Sequence, residues 1–167
     1  MKTFLITLTF IWTGLLNAQS QITKKDFEAI LTETLKKSRN AVSNATNEWR
    51  YDNSNEDYFT SNVITLNAAR SYRKDYCKEI RWSFYENQKF VLQNILECTE
   101  PPTMLKPTKK DYIEISCIEK KGVLYLKLKN FAGLCDKFKV LEFRKNEPLA
   151  FGESEFDYTV KLLRIHK

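Results

Sequence analysis

Glycine, histidine and closely spaced cysteines are what this chain has least of. Only four glycines occur in 167 residues, and Gly14 lies in the apolar N-terminal stretch. No glycine-rich loop is therefore available to cradle a phosphate through its backbone amides. His166 is the one histidine, next to last in an Ile-His-Lys terminus. The base that usually activates a serine or cysteine nucleophile is thus missing, and no Gly-x-Ser-x-Gly accompanies it. The four cysteines, Cys77, Cys98, Cys117 and Cys135, lie far apart. That spacing excludes the C-x-x-C of redox sites and the local Cys/His sets that hold zinc. No catalytic residue, metal site or cofactor is expected.

One long apolar run is present, Phe4 to Leu16, with Lys2 before it and Asn17-Ala18 ahead of Gln19. This is the pattern of a cleavable signal peptide spanning residues 1–18. The run is too short to cross a ~30 Å hydrocarbon core as a helix. No later segment is apolar enough to do so, and no transmembrane segment is expected after cleavage. The expected destination is secreted or periplasmic, an oxidising place that favours disulfides. Residues 19–167, about 149 in all, suit a single domain with a sizeable core. The basic excess, 27 Lys+Arg against 21 Asp+Glu, is modest and spread out. Bases alternate with aromatics from Arg70 through Tyr72, Arg73, Lys74, Tyr76, Lys78 and Arg81 to Trp82. Outward charges on a strand explain that segment, and no nucleic-acid partner is expected.

The fold class is mainly β (α+β). Residues 22–46 read as an amphipathic helix, with Phe27, Ile30, Leu31, Thr34, Leu35, Ser38 and Val42 on one face. Thr23 is its expected N-cap, with Asp26 three residues on. A polar loop is predicted over 50–60. The period then changes to two, and the antiparallel β region runs from about 61 to 165. Strands are predicted near 63–68, 78–86, 89–97, 111–119, 122–130, 136–144 and 156–165, with a short one at 148–151. Short gaps make neighbours antiparallel, giving a meander of about seven to eight strands. Residues 70–76 are ambiguous, and Pro101, Pro102 and Pro107 mark a stiff connection.

Chemistry-bearing carboxylates are few. Glu142, Glu153, Glu155 and Asp157 lie on or near strands, outside any apolar run that would raise a pKa. Asp52–Asp57 lacks the glycine and terminal glutamate of a calcium loop. Asn44-Ala45-Thr46 matches a glycosylation acceptor, within the predicted helix. A turn centred between Asn87 and Gln88 sets Ile80 opposite Ile95, Phe84 opposite Val91 and Cys77 opposite Cys98. Cα atoms ~4.5 Å apart in such a pair are within disulfide range, so a Cys77–Cys98 bridge is predicted. Hairpins centred near Lys121 and Gly133 put Cys117 and Cys135 toward opposite ends, and Cys117 reads as a buried free thiol.

Trp49, the W-x-F-x-x-N-x-x-F pattern from Trp82 through Phe84 and Asn87 to Phe90, the strand meander and a late Arg164 resemble the lipocalin-like (calycin) barrels of exported bacterial proteins. The resemblance covers residues 47–167. It implies a sheet closed as a barrel, with Trp49 and Arg164 as the pair that closes its floor. It also implies a small binding module, with Ile80, Trp82, Phe84, Tyr158 and Arg164 either lining a ligand pocket or filling the core. The expected partner is a small apolar ligand or an envelope protein. A structural or interaction component of the cell envelope is the alternative, and an enzyme ranks last.

Overall fold

Alternation of apolar and polar residues puts every second side chain on one face of a strand, and a curved sheet can bury that face only by closing on itself. In the computed structural model it does so. The described residues are 22–40, 48–69, 77–96, 98–101, 103–146 and 156–166. The predicted signal segment 1–18, the helix tail 41–46 with its glycosylation motif, residues 70–76, the short strand at 148–151, Glu153 and Glu155 lie outside them.

Among the described residues one α-helix, α1 (Lys24–Asn40), precedes nine strands: β1 (Glu48–Asp52), β2 (Val63–Ala69), β3 (Lys78–Glu86), β4 (Lys89–Leu96), β5 (Thr103–Met104), β6 (Tyr112–Lys120), β7 (Val123–Asn130), β8 (Gly133–Lys145) and β9 (Phe156–Arg164). Eight of them close an antiparallel barrel in the order β3-β1-β2-β9-β8-β7-β6-β4, with β3–β4 pairing completing the ring. The two-residue β5 adds to the end of β4. From β3 onward the chain runs as the predicted meander. The start differs, because β1 lies between β2 and β3 rather than beside β2 alone.

Strand β1 itself corrects the predicted 50–60 loop. Its residues alternate Glu48, Arg50 and Asp52 outward with Trp49 and Tyr51 inward, so charge masked the period. Glu48 and Arg50, with Glu79 and Arg81 of β3, form a buried four-charge lattice on the outer face. Arg50 reaches Glu48 at 3.2 Å and Glu79 at 3.9 Å, and Arg81 pairs with Glu79 and lies 3.7 Å from Glu48. Buried charges of this kind hold only when paired.

The β3–β4 register is the other correction. Phe84 faces Phe90 and Ile80 faces Asn94, one residue away from expectation, because a bulge at Tyr85 adds a residue to β3 before Glu86 meets Lys89. The turn at Asn87-Gln88 stands as predicted, with Gln88 at φ 60°. Cys77 and Cys98 lie beyond the last paired residues of the hairpin and are joined, with Cα atoms 5.0 Å apart. The β6–β7 turn, Lys121-Gly122, takes φ of 51° and 73°, the left-handed pair that a two-residue hairpin needs. The β7–β8 turn centres on Phe131-Ala132, not on Gly133, because a bulge at Cys135 absorbs one residue.

Inside lie Trp49, Ile64, Leu66, Ile80, Trp82, Phe84, Phe90, Ile113, Ile115, Leu126, Phe138, Val160 and Leu162, each essentially without exposure. Fully burying one such side chain is worth about 1.5–3 kcal/mol. Helix α1 covers the β3–β6 side of the barrel with Phe27, Leu31 and Leu35. Phe27 meets Trp49 and Phe143 edge-on, at 5.8 and 6.2 Å. Its start follows the predicted cap: Asp26 N donates to Thr23 Oγ1 at 3.2 Å, and that hydroxyl donates to the Asp26 carboxylate at 2.6 Å.

Candidate functional site

The far end of the barrel from α1 is closed by an arginine. Arg164 is the last residue of β9, opposite Phe138 of β8, so its side chain follows Leu162 and Val160 on the inner face. Strand β2 starts beside it, and the loop from β1 to β2 folds across. In that loop Asn53 Oδ1 accepts from Tyr58 N at 3.0 Å, which turns the Tyr58 ring inward. The guanidinium donates to Tyr58 O at 2.7 Å and to Ser61 O at 3.3 Å, and it pairs with the Asp136 carboxylate. It also lies over the Phe138 ring at 4.9 Å and the Tyr58 ring at 5.6 Å, within cation–π range. Burial lowers the Arg164 pKa below the usual arginine value.

Beneath the arginine, Tyr58 OH accepts from Trp82 Nε1 at 2.8 Å. Burial of this phenol raises its pKa far above the tyrosine norm, the Trp82 bond and Arg164 offsetting part of the rise. Trp82 stacks on Phe90, with centroids 4.5 Å apart and planes 11° from parallel. Nearby, Tyr51 OH donates to Asp57 at 2.7 Å; its own burial first, and that bond second, raise the phenol pKa. The same bond lowers Asp57 below the usual carboxylate value.

Outside this seal lies a recess of about 650 Å³, lined by Phe59, Lys127, Leu134, Cys135, Asp136, Lys137, Arg164, Ile165 and His166. A second, of about 440 Å³, lies across Phe59 and is bounded by Lys78, Ile95, Thr103 and Leu105. Phe59 is 62 % exposed and forms the ridge between them. Neither a family model, nor a curated protein, nor a solved structure matches this chain.

The five residues expected around a pocket separate into two groups. Ile80, Trp82, Phe84 and Tyr158 are buried in the barrel, among rings that touch one another. Arg164 is the only one of the five that lines a described recess. The expected closing pair is likewise spread over two clusters. Trp49 contacts Phe27 and Phe84 on the helix side, whereas the rings under Arg164 are Tyr58 and Phe138, with Trp82 next in line. Sequence reasoning missed Tyr58, Phe59, Asp136 and the lysine pair Lys127/Lys137. One signal was legible for Lys127, the alternation of Leu124, Leu126 and Leu128 with Tyr125, Lys127 and Lys129. For Tyr58 there was none, since it stands in a loop.

His166 Nε2 lies 2.7 Å from Asn62 Oδ1 at the recess edge. Cys117 is a buried free thiol, pushed up to about 12 by burial, and Cys135 is a free, exposed one whose Sγ contacts Leu128 O at 3.2 Å. Among the described residues, no three of His, Cys, Asp or Glu are placed to hold a metal ion, and no helix is long and apolar enough to cross a membrane. The basic-aromatic segment ends in groups already engaged: Lys78 pairs with Glu56, Arg81 with Glu79, and Trp82 is in the core.

Proposed function

We propose that this chain is an exported binding module that holds a small ligand at the Arg164 end of its barrel. The observation that carries the reading is the 650 Å³ recess built against a fixed seal, within the usual 300–1,000 Å³ of small-molecule sites. Rigid walls favour binding, because little ordering is left to be done when a ligand arrives. Arg164 is held by two carbonyls and a carboxylate, and β7 and β8 are central strands of a closed sheet. The barrel interior is occupied by its own rings, which favours core filling, one of the two roles expected for Ile80, Trp82, Phe84 and Tyr158, and supports a site at the rim. Export is supported by the pattern of residues 1–18 and by the Cys77–Cys98 bridge, which suits an oxidising compartment.

Native mass spectrometry of the protein recovered from its own host tests the reading. A bound small molecule that is lost on Phe59→Asp substitution supports it; an empty barrel that takes up nothing from a metabolite extract defeats it. N-terminal sequencing should begin at or near Gln19, and recovery of Met1 would remove export. A protein-interaction role in the envelope is the second reading, favoured by exposed Leu105 and Phe131. It predicts self-association or capture of an envelope protein in light scattering.

A further inference from the structure

We infer that the larger recess binds an organic anion with an apolar body, its acid group held between Lys127 and Lys137. The inference rests on reading this end of the barrel as a ligand site, and it specifies the chemistry of the ligand. Lys127 and Lys137 are direct cross-strand partners on β7 and β8. Both point outward, because Leu126, Leu128 and Phe138 beside them point in. Like charges set directly opposite each other destabilise a sheet, so this pair is not explained by folding. Among the described residues no carboxylate is paired with either lysine. The other cross-strand neighbour of Lys127 is Ser116, and Lys139 adds a third cation two residues along β8. Among the described residues neither Lys127 nor Lys137 makes an ion pair; Lys137 Nζ lies 5.5 Å from the centre of the Tyr125 ring.

Asp136 is the one carboxylate in the lining, and it is occupied on both oxygens. One pairs with Arg164, and the other accepts from Lys137 N at 2.8 Å. The recess therefore keeps two cationic charges that no carboxylate among the described residues pairs. The rest of its wall is mostly apolar, Phe59, Leu134, Cys135 and Ile165, with His166 at the edge. An inorganic anion would leave that wall in water. A neutral apolar ligand would cover it while crowding two ammonium groups with nothing to pair them. A carboxylate, sulfonate or phosphate on an aliphatic or aromatic body satisfies both halves of the recess.

Two fluorescent probes separate these cases on the full, disulfide-bonded chain: 8-anilinonaphthalene-1-sulfonate and the uncharged N-phenyl-1-naphthylamine. The sulfonate should bind one to one, be displaced by decanoate, and bind more tightly than the neutral probe. The double substitution K127E/K137E, checked for folding by circular dichroism, should weaken it roughly tenfold or more. Lys24→Glu, a charge change on the helix side, should leave the affinity unchanged. If the neutral probe binds as tightly as the sulfonate and the lysine substitutions change neither, the anion inference is wrong while the ligand site stands. If neither probe nor decanoate binds, both readings fail. If the sulfonate binds K127E/K137E as it binds the unsubstituted protein, the site is not at these lysines.

Discussion

The two closures of this barrel solve one problem with opposite chemistry. On the helix side Phe27, Leu31 and Leu35 lie against Trp49, Phe84 and Phe143, and almost nothing polar takes part. Trp49 Nε1 is even buried there without a hydrogen-bond partner. At the other end a charge is the plug: Arg164 spans two loop carbonyls, Asp136 and two aromatic faces. Apolar closure draws its energy from area removed from water. Polar closure draws it from directed bonds, which hold charges in fixed places beside solvent. The proposed ligand site lies at the end that keeps its charges.

The comparison can be broken at several points. The largest effect is expected on the apolar side, where Phe27→Ala should cost about 3–5 kcal/mol through lost burial and a residual cavity. Urea unfolding followed by tryptophan fluorescence measures it; a loss below about 1 kcal/mol would mean that α1 is dispensable to the barrel. Next is the Cys77–Cys98 bridge, which spans 21 residues. Cys77→Ser should cost about 3 kcal/mol, and adding Cys98→Ser should change little more. Peptide mapping without reduction should recover the two cysteines in one linked pair. At the polar end, Arg164→Met keeps much of the apolar stem but strands Asp136 and two loop carbonyls. A loss of roughly 2 kcal/mol is expected. Because Tyr58 and Trp82 lie under the guanidinium, tryptophan emission should shift, whereas the same change should leave the signal from a probe attached near α1 unaltered.

Two smaller effects sharpen the contrast. Cys117 faces the helix side, where Glu28 adds to the burial that raises its thiol from 9.0 to about 12. A raised thiol pKa favours the protonated form in the folded state. Its stabilisation is complete below about pH 9 and is lost as pH rises toward 12. Denaturation midpoints measured from pH 8 to 11 should therefore fall more steeply in the unsubstituted protein than in Cys117→Ala, by on the order of 1 kcal/mol at pH 10. In the folded protein a thiol reagent should modify Cys135 first, and Cys117 only after unfolding. Equal labelling of both would contradict the buried placement. Thr23→Ala removes the cap of α1 and should cost about 1 kcal/mol or less. Helical circular dichroism should decrease with no change at the Arg164 end.

What was legible in the sequence was whatever depends on near neighbours. Strand β3 runs over 78–86 as its alternation predicts, α1 starts at its Thr23 cap, and the Asn87-Gln88 turn brings Cys77 to Cys98. That bridge survives a one-residue error in register, because the bulge at Tyr85 shifts the ladder while the cysteines lie beyond its last pair. Bulges are the general reason for the misses. One extra residue at Tyr85 or Cys135 changes every pairing on one side of it, and local composition does not mark where it falls.

Strand β1 was illegible for a different reason. Arg50 and Asp52 read as solvent-facing loop residues, and only the pairing of Glu48 and Arg50 with Glu79 and Arg81 lets Glu48 and Arg50 be buried. The same holds for the candidate site. Nothing in a chain of Lys127, Lys137, Phe59 and Arg164 announces a recess, since they come from three strands and a loop. Local sequence determined the period of most strands, the Asn87-Gln88 turn and the Thr23 cap, because each follows from interactions within a few residues. The tertiary structure alone decided the closure of the ring, the place of β1 between β2 and β3, and which charges meet and which stay unpaired. Those outcomes depend on residues brought together from across the chain, and their energies exist only once the barrel has formed.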